Sequence, residues 1–245
     1  MNDVFDGRFW EEHFRTVFAR QISYFCAAVE TRLLPTFDSS AEEGEQATSA
    51  EWERLGQAGA SDSTDPSDDA DQADQVGVDH FLLLEGVRQT LINLSVAALY
   101  HLFDQQLMVF HRRQVLHPRD ENNAALMKIA ELKARLSSKG VDIGSFRSWS
   151  KVDELKAVAN AVKHAEGHSA DEVRRMRPDL FTPPHLRGSA TPDPSVERVY
   201  LPLAGEDIFL TVNDLRQYCS VVLEFWEELG AAIRATHEQD ENDYI

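Results

Sequence analysis

From Val78 to His117 the chain passes roughly forty residues without a proline, and large apolar side chains recur at helical spacing: Phe81, Leu84, Val87, Leu91, Leu94, Leu99, Leu102 and Phe110. One helix of that length runs about 60 Å and cannot cover its own apolar face, so other long helices must pack on it. Pro118 gives it a stop. Glu85, Arg88, His101 and Asp104 fall inside the stretch and are costly in hydrocarbon, so it reads as a core helix and no membrane span is expected.

Partners of matching length lie at both ends of the sequence. Phe5, Phe9, Phe14, Phe18, Ile22, Phe25, Val29 and Leu33 recur at steps of three to five, which predicts an amphipathic helix ending near Leu34, because Pro35 disfavours helical geometry in the residue before it. A terminal helix from about Asn213 carries Leu215, Tyr218, Val222, Phe225, Trp226, Leu229 and Ile233 on one side. Between them the spacing predicts helices over 122–138, closed by Gly140, and over 150–165, capped by Ser150 and ended by Gly167. Ser169 and Glu172 have capping-box spacing for a brief helix through Met176. Val196–Leu203 and Asp207–Val212 flank Ala204-Gly205-Glu206 with the composition of a hairpin over 196–212. The expected fold class is mainly α: an antiparallel long-helix bundle with a small β-hairpin before the C-terminal helix, in a single domain of residues 1–245.

A formal charge of −18 argues against nucleic acid until its distribution is considered. Between Asp38 and Asp79 thirteen acidic residues stand against Arg54 alone, and the tail over 238–245 is acidic too, which leaves the rest of the chain nearly neutral. Residues 38–75 hold only Trp52 and Leu55 as bulky apolar side chains, so this stretch reads as a disordered acidic insertion. The N-terminus lacks a basic region followed by a cleavage site, and a cytoplasmic location is expected. Cys26 and Cys219 each sit in an apolar helical pattern, which reads as two free, buried thiols more readily than as a disulfide.

Within the predicted 150–165 helix, Lys156, Asn160 and His164 recur at intervals of four and share a face, with Lys163 beside them and Leu155, Val158 and Val162 opposite. The run Glu154-Leu155-Lys156-Ala157-Val158-Ala159-Asn160-Ala161-Val162-Lys163-His164 resembles the signature helix of HEPN-like proteins, whose core is Asn-x-x-x-His. The resemblance implies a helical bundle that pairs as a dimer, and either a metal-independent endoribonuclease of bacterial defence or toxin–antitoxin systems or a noncatalytic partner-binding or sensor module. HEPN motifs usually carry arginine immediately before the asparagine, where this chain has Ala159. Lys156 lies one turn earlier and supplies a point charge where arginine supplies a planar fork.

RNA cleavage needs a group that takes the ribose 2′-OH proton and donors that stabilise the phosphorane. Histidine is suited to the first role, which falls to His164, with Asn160 orienting it or donating to phosphate and Lys156 assisting. Lys163, Arg174 and Arg175 are the expected RNA contacts, against the plainer reading of solvated helix charges, which also covers Arg177. The alternative for Asn160 and His164 is hydrogen bonding within the bundle. His164 and His168 are separated by Gly167 and lack the His-Glu-x-x-His arrangement, so no metal and no cofactor are expected. His111 and His117, with Arg112 and Arg113, read as charges complementing a helix end. No glycine-rich phosphate loop, nucleophile elbow or paired-cysteine motif occurs.

Overall fold

The computed structural model describes residues 6–57, 66–187 and 207–243. Its α-helices are α1 (residues 7–33), α2 (Ser40–Gln57), α3 (Pro66–Phe110), α4 (Ile129–Ser138), α5 (Trp149–His164), α6 (His168–Met176) and α7 (Val212–Asp243). Two π turns, Phe14–Phe18 and Val29–Leu33, lie within α1, and a third, His111–Val115, follows α3. The protein is mainly α, as the periodicity implies, with no strand among the described residues. By length and apolarity the stretch Pro66–Val115 also suffices to cross a membrane. It nevertheless carries an ion pair between Arg88 and Glu85 at 3.3 Å.

The chain divides into two compact units, Ala28–Ile92 and Met1–Ala27 with Asn93–Ile245. The larger unit is organised by aromatic side chains from α1, α3 and α7. Phe14, Phe18 and Phe103 surround Trp226 with ring centroids 4.9, 5.0 and 5.5 Å away, and Trp10 meets Phe110 at 5.0 Å. Trp10 keeps its polar edge satisfied by donating from Nε1 to Gln114 Oε1 at 2.7 Å. The same packing brings together two cysteines that are 193 positions apart. Cys26 of α1 and Cys219 of α7 form a disulfide, with Cα atoms 6.8 Å apart, correcting the expectation of free thiols.

In the smaller unit, α2 and the first part of α3 are helical over most of the span 38–75 that reads from the sequence as a disordered insertion, residues 58–65 lying outside the described residues. Backbone proximity replaces a broad apolar seam here. Gly44 and Gly77 let the two helices approach so closely that a Cβ added to Gly77 would fall 2.7 Å from the Gly44 carbonyl oxygen. Ala73 is buried beside them, and Gln72 donates to Glu51 at 2.9 Å.

The second arm of the expected hairpin is not a strand, and its first arm lies outside the described residues. Asn93 binds the backbone of residues 208–210, which form no sheet. Its Nδ2 donates to the Ile208 carbonyl at 2.7 Å and its Oδ1 accepts from Leu210 N at 3.3 Å, so one amide side chain takes the place of a neighbouring strand. Phe209 N donates to the Leu180 carbonyl at 2.7 Å, and Arg187 donates to the Phe209 carbonyl.

Two local readings also change. Ser148, not Ser150, precedes α5, and it holds Glu228 of α7 through its backbone N–H at 3.2 Å and its hydroxyl at 2.6 Å. Ser169 lies inside α6, which begins at His168 after Gly167.

His111 is fully buried and donates from Nε2 to the Leu126 carbonyl at 2.9 Å, so it is no solvated helix-end charge. Burial lowers its pKa below 6.5, against the opposing hydrogen bond to Leu126. Partial burial and Arg113 lower that of His13. The unfolded chain therefore binds more protons than the folded one just below pH 6.5, and stability should fall as pH drops through that value. Urea midpoints measured from pH 7.5 downward should show this decline, and His111→Gln should flatten it. An unchanged slope in the variant would remove His111 as its source.

Candidate functional site

Most of α5 is covered. Val152, Leu155, Val158, Ala159 and Ala161 are buried, as is Glu154, so the helix presents polar groups along restricted edges. On one edge lie Lys156, Lys163 and His164, all exposed, with Asn160 half-buried between them. The spacing of four puts these residues along a single side of the last turns of α5. No hydrogen bond from the side chain of Asn160 or His164 to another described residue competes with a ligand for this edge.

Directly after His164 the backbone breaks sharply. Ala165 has φ 55° and ψ −115°, the sole positive φ at a described non-glycine residue, and Gly167 has φ 137°. Holding alanine in that conformation costs roughly 1–3 kcal/mol, a strain that elsewhere marks functional turns. The sequence placed the break at Gly167; nothing in it pointed to Ala165.

A pair on α3 that sequence reasoning missed is coupled electrostatically to α5. Tyr100 and Asp104 of α3 are half-buried, and both titrate upward. For Asp104 burial dominates, opposed by the charges of His101 and Lys156, while for Tyr100 burial is reinforced by Asp104 and Asp153. Lys156 thus works in the field of a carboxylate. Tyr100 and Asp104 at i and i+4 were visible as a polar pair in an apolar helix, but only the fold couples them to the charges of Asp153 and Lys156 on α5.

The expected RNA contacts divide. Lys163 is exposed, and Arg175 is exposed with Glu172 4.0 Å away. Arg174 is held differently. Its Nη2 donates to both oxygens of Glu166 at 2.7 and 2.8 Å, Nη1 to Asp171 at 3.3 Å, and its guanidinium lies 5.2 Å from the Phe181 ring centre. These contacts fix the α5–α6 link and occupy donors that a phosphate would use.

The opposite edge of α5 carries a second polar cluster around Arg177, which is no solvated helix end. Arg177 donates to both oxygens of Asp179 at 2.9 and 2.7 Å, to Asp214 at 2.8 Å and to Glu154 at 3.2 Å. Tyr218 donates to the same Glu154 oxygen at 2.9 Å, and Lys151 reaches the other at 2.6 Å. Asp214 also caps α7, accepting from Thr211 N and Oγ1 at 2.8 and 2.6 Å. Arg177 holds Asp179 below the usual carboxylate range; for Asp214, burial pushes upward but the Arg177 and Thr211 bonds outweigh it. The cleft beside this cluster, about 340 Å³ between Lys151, Arg216 and Tyr218, is floored by groups already bonded to one another. No family model, curated protein or solved structure matches the chain.

Proposed function

We propose that the protein is a HEPN-like, metal-independent endoribonuclease whose reacting edge is Lys156, Asn160 and His164. The observation that carries this reading is the exposure of His164 beside Asn160 on an otherwise covered helix, immediately before the strained Ala165. His164 takes the 2′-OH proton, O2′ attacks the adjacent phosphorus, and the 5′-oxygen leaves with a proton from solvent. Asn160 donates to a nonbridging phosphate oxygen, and Lys156 and Lys163 offset its growing charge. Two copies pairing along α5 form the composite groove that the resemblance implies, a bacterial toxin or defence effector being the setting.

A second reading, a noncatalytic partner-binding or sensor module of the same kind of system, is favoured by Ala159 at the motif arginine position and by the capture of Arg174 by Glu166. Purified protein incubated with total RNA and tRNA in excess chelator separates the two. Cleavage that persists in chelator and disappears in His164→Ala, with Asn160→Ala impaired, is the expected result. Equal cleavage by wild type and His164→Ala rejects the assigned base, and an inactive wild type gives the noncatalytic reading. Light scattering on the same samples should find a dimer; a strict monomer overturns the composite groove.

A further inference from the structure

We propose that the outward ridge of α3 between Asp68 and Val87 docks a cationic amphipathic helix of a partner protein. The inference does not rest on RNA cleavage and concerns the unit Ala28–Ile92 alone. Asp68, Asp71, Gln75, Asp79, Leu82 and Gly86 follow one another at steps of three or four, so they form one ridge that begins acidic and ends apolar. At its apolar end Leu82, Leu83 and Val87 are 59%, 70% and 56% exposed, and Val78 is 51% exposed. Adjacent leucines left so open on one helix make a surface suited to burial against another molecule.

Charge selects the occupant. Residues 28–92 hold fifteen acidic side chains against Arg32, Arg54 and Arg88, and no lysine. Phosphate backbones and anionic lipid headgroups are repelled by such a surface, and a second copy brings the same excess of negative charge. A helix with leucines on one side and lysines or arginines beyond them satisfies both halves of the ridge: its apolar face covers Leu82, Leu83 and Val87, and its cations meet Asp68, Asp71 and Asp79. The ridge is about 30 Å long, enough for five turns of such a helix.

The test uses the full chain and a fluorescein-labelled synthetic peptide of about 18 residues, built of lysine and leucine with leucines at helical spacing. Controls are a scrambled peptide of the same composition, a glutamate–leucine counterpart, and vesicles containing phosphatidylserine. Anisotropy should report binding of the lysine–leucine helix that weakens about ten-fold or more for the scrambled peptide, for Leu82→Ser/Leu83→Ser/Val87→Ser, and for Asp71→Lys/Asp79→Lys. The serine variant leaves the charge unchanged, so its loss of binding separates docking from general attraction to an acidic protein; circular dichroism checks that both variants keep their helices. Equal affinity for the scrambled or glutamate peptide, or an unaltered affinity in the serine variant, overturns the proposal. So does vesicle binding abolished by the serine variant, which assigns the ridge to lipid, or a dimer that the serine variant dissociates, which assigns it to a second copy.

Discussion

Arg177→Leu should destabilise the protein by about 3–5 kcal/mol, a fall in Tm of about 6–20 °C. The guanidinium serves three carboxylates drawn from α5, the turn after α6, and α7, and Glu154 and Asp214 have little water to fall back on once it is gone. Removing one partner of a buried charge cluster is far more damaging than replacing the whole cluster, because the survivors keep their desolvation penalty. Arg177→Lys should recover only part of the loss, since an ammonium cannot bridge Asp179 and Asp214 as the planar fork does. Combining Arg177→Leu with Asp214→Asn should cost less than the sum of the single changes. The pH signature is also specific: Asp179 and Asp214 titrate below 3.8 when folded, so their stabilisation is fully present above that value and lost as pH falls below it through their lower folded pKa. Chemical denaturation of the wild type, Arg177→Leu, Arg177→Lys, Asp214→Asn and the double variant at neutral and acidic pH checks all of this. A loss below about 1 kcal/mol for Arg177→Leu would mean that the cluster is solvated and weak.

Reducing the Cys26–Cys219 bridge should lower stability by about 2–5 kcal/mol, because the bond closes a loop spanning 193 positions of the 245-residue chain and its opening restores conformational freedom to the unfolded state. The folded protein should survive reduction, since both sulfurs then remain as small buried side chains among α1 and α7. Cys26→Ser/Cys219→Ser should melt like the reduced wild type and ignore dithiothreitol. Thiol titration in guanidinium is the direct measurement, with no reactive thiol expected before reduction and two afterwards. Two thiols in unreduced protein would refute the bridge. The cytoplasmic location expected from the sequence opposes it, because reducing compartments keep such pairs open, so protein recovered under anaerobic, thiol-blocked conditions should be compared with protein purified in air.

Helices that bury a broad apolar stripe were legible at the level of individual residues. Leu155 and Val158 predicted which side of α5 is covered, and Asn213 the beginning of α7 to within a residue. What the sequence hid was produced by contacts between distant positions. Arg177 looked like a helix-end charge because Glu154, Asp214 and Tyr218 belong to elements that meet it only after folding. Residues 207–212 looked like a strand because β-branched and aromatic side chains favour extended backbone, and the fold satisfied that backbone with the amide of Asn93. Residues 38–75 looked disordered because hydrophobic periodicity detects side-chain seams, and the seam between α2 and α3 is made largely of glycine and alanine.

The close approach at Gly44 and Gly77 bears on how these two helices can change over generations. Glu42, Glu45 and Glu53 of α2 are exposed, so substitution at these positions is free provided the charge and helix propensity remain. Gly44 and Gly77 have no such freedom, because any side chain at Gly77 must displace the backbone of α2. Descendants of this sequence should therefore drift widely across the exposed surface of α2 and the start of α3 while retaining two small residues, one on each helix. Overall likeness will fade first, and the spacing of that pair will outlast it.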